Sequence, residues 1–225
     1  MVRRRLGGSG AVRGIVNRKR TRRVMREQGL LVPQRRLPRG RHDGHIETER
    51  SDQLWATDLT KIPTREGRLW MVSVIDCHDR DLIGRRYGTS AGTTLCLGAL
   101  GDAVWERFPD QLDEIRANGP QLSHDWGSQF TSRRYQAELT TLGIRSRPTM
   151  IGSPEQNGIK ERFFGSLKDE EVWPKEYETR AEAIEQIDTW IDFYRTERPH
   201  QALGYLAPAE YRAAALGSTC ARTAV

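Results

Sequence analysis

Cysteine is scarce in this 225-residue sequence. Cys77, Cys96 and Cys220 form no paired spacing, which excludes a disulfide framework. None of the five histidines (His42, His45, His78, His124, His200) has a cysteine at zinc-finger spacing. His42 and His45 read as solvated linker residues rather than a metal pair. No apolar run approaches a membrane span, and no signal peptide precedes the body. The expectation is a cytoplasmic protein without membrane contact.

Charge is present in excess and unevenly placed. Lys and Arg number 36 against 30 Asp and Glu, a net of +6. Residues 1–50 hold fifteen basic side chains against four acidic ones, while the remaining 175 hold twenty-one against twenty-six. The basic character therefore belongs to an arm, and the body is mildly acidic. A basic arm on an ordinary domain points to a polyanion; a solvated tail that aids solubility is the competing reading.

Residues 1–16, rich in Arg and Gly, predict poor order. A short helix follows over 18–28, with Asn17 to cap it and Gly29 to end it. Arg18, Lys19, Arg20, Arg22 and Arg23 crowd this helix and are its candidate DNA contacts. Its apolar face, Val24 and Met25, is too small to fold alone. The sequence divides into a basic arm with a remnant helical region (1–31), a linker (32–51), a core (52–175) and a C-terminal helical extension and tail (176–225).

The core alternates strands and helices. "LWATDLTKIP" (54–63), "RLWMVSVIDCHD" (68–79) and "DLIGRRYGTS" (81–90) predict an antiparallel meander, with turns at 65–67 and around Asp79. A helix follows with Leu97, Leu100, Val104 and Phe108 on one face. Asp125 closes a fourth strand. Tyr135, Leu139 and Leu142 mark a second helix, and 144–149 a fifth strand. A third helix begins between Ser153 and Asn157. A last helix over about 179–196 carries a capping-box pattern at Thr179 and Glu182 and ends before Pro199. Three strands followed by alternating helix and strand predict an α/β fold.

Three carboxylates stand out. Asp58 lies on a strand, at a position costly to bury without a cation or donor; a bond to a backbone amide is the competing reading. Asp125 precedes Trp126-Gly127, and a plain turn aspartate competes there. Glu161 lies on the third helix, in competition with Glu155, Glu170 and Glu171. Phe163, Phe164 and Leu167 anchor that helix, and Lys168 lies two turns beyond Glu161 on the same face. Lys160 and Arg162 are lesser phosphate candidates. Asp76 reads as a supporting carboxylate. Two aspartates on strands and a glutamate on a packed helix suit hard divalent cations, which take oxygen ligands and hold attacking and leaving oxygens in line.

These residues carry a family resemblance. Trp55 to Thr60 match W-x-x-D-L/I-T. Asp125, Gly127, Gln129, Phe130 and Ser132 match D-x-G-x-Q-Y/F-x-S, with His124 and Trp126 where Ser and a basic residue are usual. Thirty-five residues separate Asp125 from Glu161, the usual spacing. Glu161, Phe163, Phe164, Leu167, Lys168 and Glu170 match E-x-F-F-x-x-L-K-x-E. Residues 193–212 resemble the tail Y-N-x-x-R-P-H-x-x-L, with Arg195 in place of Asn. The chain resembles the insertion-sequence transposases of the IS-three family, relatives of the retroviral integrases.

The resemblance implies a ribonuclease-H-like core, a mixed five-stranded sheet flanked by helices. It implies an enzyme in which Asp58, Asp125 and Glu161 are catalytic and bind two Mg2+ ions, with Mn2+ as a substitute. Lys168 would touch the element end. The implied partners are double-stranded DNA (element ends and target), further copies in a homo-multimer, and an upstream-frame helix-turn-helix subunit. The implied location is the nucleoid. Two other readings stay open: a non-catalytic relic that binds ends, and a ribonuclease-H-like nuclease.

Overall fold

The computed structural model describes residues 18–30, 48–149 and 158–222. The chain divides into two compact units, residues 1–43 and 44–225. In the first, α1 (Arg18–Glu27) ends at Gly29, whose φ of +65° is left-handed. Its N–H donates to the Arg26 carbonyl and that of Leu30 to Met25, so glycine closes the helix as expected. Val24 is exposed, and Arg20, Arg22 and Arg23 line the surface. Asn17, the linker as far as Glu47 and the expected start of the third helix fall outside the described residues.

The second unit is built on one sheet. Strands β1 (Leu54–Thr64), β2 (Gly67–Asp76) and β3 (Leu82–Gly88) form the expected antiparallel meander. The first turn is tight, with Thr64 opposite Gly67, whose φ of +108° suits glycine. β4 (Gln121–His124) and β5 (Arg145–Pro148) run parallel to β1, and the order across the sheet is β3-β2-β1-β4-β5.

Alternation along the strands sends side chains to two cores. Trp55, Val72, Val74 and Leu122 pack with Leu100 and Ala103 of α2 (Thr93–Arg107) and with Tyr135 and Leu139 of α5 (Arg133–Thr141). Two short helices, α3 (Leu112–Asn118) and α4 (Ser128–Thr131), complete that side. Phe108 stands just beyond α2 rather than on it, its ring 6.0 Å from Trp55. β3 meets α2 so closely that a Cβ on Gly84 would lie 2.2 Å from the Ala99 carbonyl oxygen.

On the other face, Ile62, Leu69, Met71 and Ile75 pack against Phe163 and Leu167 of α6 (Gly158–Leu167) and Ile187 and Ile191 of α7 (Arg180–Thr196). α6 continues into a π-helical turn, Lys168–Val172. Thr179 caps α7 by accepting the Glu182 N–H at 3.1 Å. The return bond of the expected capping box goes one residue earlier, from the Glu178 N–H to Glu182 Oε2 at 2.8 Å. A further helix, α8 (Pro208–Arg222), follows the tail motif. Among the described residues no helix is long and apolar enough to cross a membrane.

Candidate active site

The sheet register brings Asp58 and Asp125 together. Ala56 of β1 stands opposite Ser123 of β4 in a parallel ladder. Two residues on, Asp58 still lies on β1 while Asp125 falls just past the end of β4, near enough for the two charges to interact. Even-numbered β1 residues face the α6 side, where Leu54 and Ala56 meet Ile159. Asp58 therefore points toward α6.

Electrostatics report the same neighbourhood. Burial pushes the Asp58 carboxyl above the usual carboxylate range; the Lys160 ammonium, the Leu59 N–H and, more weakly, Lys168 pull it back, and Asp125 raises it further. A partly buried carboxylate with a second one nearby is costly to ionise. This donor set fits a hard divalent cation, which would relieve both the burial and the repulsion.

Both competing local readings also describe real bonds. Asp58 Oδ1 accepts the Leu59 N–H at 2.8 Å, and Asp125 Oδ1 accepts the Gly127 N–H at 2.9 Å. Each carboxylate retains its other oxygen. His124 is clamped between the Asp125 carbonyl (2.7 Å) and Ser146 Oγ (2.8 Å), and burial depresses its pKa. Trp126 is exposed, yet its indole N–H donates to the Thr149 carbonyl at 2.8 Å.

Glu161 is not gathered with the pair. It stands exposed in the first turn of α6. Lys160, one position earlier, takes the buried slot, only 2% exposed. Among the described residues no three Asp, Glu, His or Cys side chains lie close enough to share one ion. Of the competing glutamates, Glu170 bonds Arg198 at 2.7 Å and accepts the Trp190 N–H at 3.3 Å. Glu171 bonds Lys175 at 2.6 Å and Tyr177 at 3.2 Å. Glu155 falls outside the described residues. Glu161 has no such partner among them. Arg162 is exposed and Lys168 half-buried at the start of the π turn.

Asp76 has a structural task. Fully buried, it accepts the N–H groups of Asp52 (2.6 Å) and His78 (2.7 Å) and fixes the turn after β2. Around it sequence reasoning missed a buried network. Arg107 bonds Asp79 and Asp81, Arg195 bonds Asp81 and Glu106, and Arg212 bonds Asp52 and Asp79.

Comparisons with known proteins identify the family and the fold. The integrase core domain matches the chain in two stretches, residues 48–154 and 142–208. The transposase for insertion sequence element IS904 of Lactococcus lactis subsp. lactis is 32% identical over 161 residues, 71% of this chain and 61% of that protein. That for IS629 of Shigella sonnei is 32% identical over 162 residues, 72% and 52%. The Escherichia coli transposase InsD for insertion element IS2A/D/F/H/I/K is 28% identical over 212 residues, 87% and 66%. The chain thus spans about half to two thirds of these relatives' length. Among solved structures, the catalytic core domain of BIV integrase superposes with a TM-score of 0.54 at 16% identity, over 75% of this chain and 98% of that one. A chain of the simian T-cell lymphotropic virus intasome in complex with PP2A regulatory subunit B56 gamma gives 0.61 at 15% identity, over 80% and 60%. Fold and strand order are those of the ribonuclease-H-like cores of integrases and transposases. The chain belongs to the integrase-core family and, within it, to the insertion-sequence transposases of the IS-three family.

Proposed function

We propose that the chain is the catalytic subunit of an insertion-sequence transposase, cutting and joining double-stranded DNA at Asp58, Asp125 and Glu161. The observation that carries this reading is the electrostatic proximity of Asp58 on β1 to Asp125 just past β4, with Lys160 of α6 and Lys168 of the following turn acting on the same carboxyl. Glu161 supplies the third carboxylate. It is the described glutamate of the α6 motif that no other side chain has claimed, and it lies next in sequence to the lysine that acts on Asp58. Reorientation of the first turn of α6 on DNA would bring it to the pair.

Two divalent cations, Mg2+ or Mn2+ in its place, would polarise and align the attacking and departing oxygens when bound. The residues of the chain hold the geometry. Asp58 on β1 and Asp125 just past the end of β4 fix the position. Lys160, too buried to meet phosphate as the sequence suggested, offsets the charge of Asp58, while Lys168 contacts phosphate. In the first step water attacks phosphorus at the element end, the P–O3′ bond breaks, and a 3′-hydroxyl and a 5′-phosphate result. In the second the freed 3′-hydroxyl attacks a target phosphorus and releases a target 3′-hydroxyl. In each step the attacking oxygen gives up a proton to solvent and the departing 3′-oxygen takes one up, and no covalent protein intermediate forms.

The basic helix α1, with Arg18, Lys19, Arg20, Arg22 and Arg23, adds sequence-independent affinity. A homo-multimer, an upstream-frame helix-turn-helix subunit and a nucleoid location belong to this reading.

Purified chain incubated with labelled element-end duplex and Mg2+ should nick and join, and Asp125→Asn should abolish both while binding persists. Binding without nicking, unchanged by Asp125→Asn, would establish instead a non-catalytic end-binding protein. The uncollected position of Glu161 is the observation that favours that second reading. Preferential cleavage of an RNA–DNA hybrid would point to a ribonuclease-H-like nuclease.

A further inference from the structure

A cavity of about 840 Å3 opens between α6 and the segment that follows α7. Three guanidinium groups line it: Arg80, Arg162 and Arg198. Arg198 is already committed, to Glu170 at 2.7 Å and Ser166 Oγ at 3.1 Å. Arg162 is exposed. Arg80 is the anomaly. It sits in the turn after β2 with a φ of +62°, and its carbonyl accepts the Tyr194 hydroxyl at 3.2 Å. Its side chain lines the cavity, and its Nη1, buried behind that wall, has no hydrogen-bond partner. Asp169, the carboxylate in the lining, is exposed and pairs with neither Arg80 nor Arg162.

A guanidinium drawn from water, with an unsatisfied N–H and a second cation beside it, weakens a fold unless an anion completes it. Burial first, and the Arg162 charge more weakly, press against the charged form of Arg80, and Asp76 offsets this only in part. The planar donor fork of arginine matches a phosphate. Opposite, burial holds His200 neutral with its ring bonded to the Tyr194 backbone, and its Nε2 lacks a partner. An anion therefore seats on the arginine side.

We propose that this cavity is a phosphate site, with Arg80 as its inner donor and Arg162 at its mouth, that takes a phosphodiester of bound DNA. The proposal rests on the functional reading above. Lys160 and Arg162 lie two positions apart on α6, about 200° around the helix and so on nearly opposite sides. One side serves Asp58 and the other the cavity. The helix is about 10 Å across, so the phosphate held here is not the one being cut but one on a flanking nucleotide or the opposite strand.

The test is binding of labelled duplex by the full chain without Mg2+, measured against salt concentration. Arg80→Gln should make the slope of log K against log salt shallower by about 0.9, one phosphate contact. Arg80→Lys should restore it. Without DNA, Arg80→Gln should melt no lower than the unaltered chain, because an uncompensated charge is removed; a merely structural arginine would lower the melting temperature. An unmoved slope overturns the proposal. Inorganic phosphate is the second probe. If it raises the melting temperature of the unaltered chain but the DNA slope ignores Arg80→Gln, the cavity takes a free anion and the DNA placement fails. A chain that cleaves DNA with Mg2+ while its slope ignores Arg80 keeps the enzyme reading and loses this one.

Discussion

Asp58, on the proposed reading, trades stability for chemistry. Its carboxyl is costly to ionise where it stands, because burial and Asp125 both oppose the charge. Its folded pKa exceeds the unfolded one, so its contribution to stability is complete below the ordinary carboxylate range and is lost as pH rises through the raised value. Asn at this position escapes that loss. Asp58→Asn should raise the melting temperature of the metal-free chain by roughly 2–4 °C, the effect of ~1 kcal/mol in a domain of this size. It should also cut strand cleavage by roughly a thousandfold or more. Scanning calorimetry and a gel cleavage assay check the two halves. The aspartates were legible from sequence because strand alternation and ordered motifs both constrain them. The facing of Glu161 was not. Helical spacing assigns it a stripe, but one position along a helix is 100° of rotation, and packing decided that Lys160, not Glu161, fills the buried slot.

At the scale of elements, the turn between β2 and β3 is tied to three helices. Arg107 of α2, Arg195 of α7 and Arg212 of α8 converge on Asp52, Asp79 and Asp81. No sequence signal marks this, since the partners are up to 160 residues apart; the short helix α3 and the helix α8 also escaped notice. The network does explain Arg195, which departs from the family's Asn and bonds Asp81 at 2.7 Å and Glu106 at 2.7 Å. Arg107 has a side chain only 2% exposed, so Arg107→Leu leaves two buried carboxylates short of a cation and should cost about 3–5 kcal/mol in denaturant unfolding. Arg212 is more accessible, and Arg212→Leu should cost less, ~1–2 kcal/mol, with discount for solvent screening. The same turn carries a pH response. Burial, Asp79 and Asp52 push the Asp76 carboxyl up to about 7, against the N–H groups of Asp52 and His78. A raised carboxyl favours the fold below its unfolded pKa of about 4 and loses that contribution as pH passes about 7. This group's contribution should therefore make the melting temperature fall as pH rises from about 4 to about 7 and level off above that, and Asp76→Asn should flatten that decline.

For the whole molecule, the order of strands and helices was readable because each element carries its own period and its own stop, from Gly29 and Gly67 to the Thr179 cap. What a period cannot give is how charge is apportioned to tasks. The arm is strongly basic while residues 51–225 carry more acid than base. On the proposed reading a mildly acidic body gains its reach for DNA from elsewhere, and α1 presents Arg20, Arg22 and Arg23 to solvent, with one salt bridge among the described residues, Arg23 to Glu27 at 3.8 Å. Surface pairs of this kind contribute little and leave the cations free to meet phosphate. Removing residues 1–43 should therefore leave the melting temperature of the remaining unit nearly unchanged, because the two units are separately compact. Duplex affinity at low salt should fall by at least roughly tenfold, and the salt slope should lose about 0.9 for each phosphate contact removed. Fluorescence anisotropy across a salt series checks both quantities. A slope that survives the truncation would place the DNA-binding charge on Arg162 and Lys168 of the core instead.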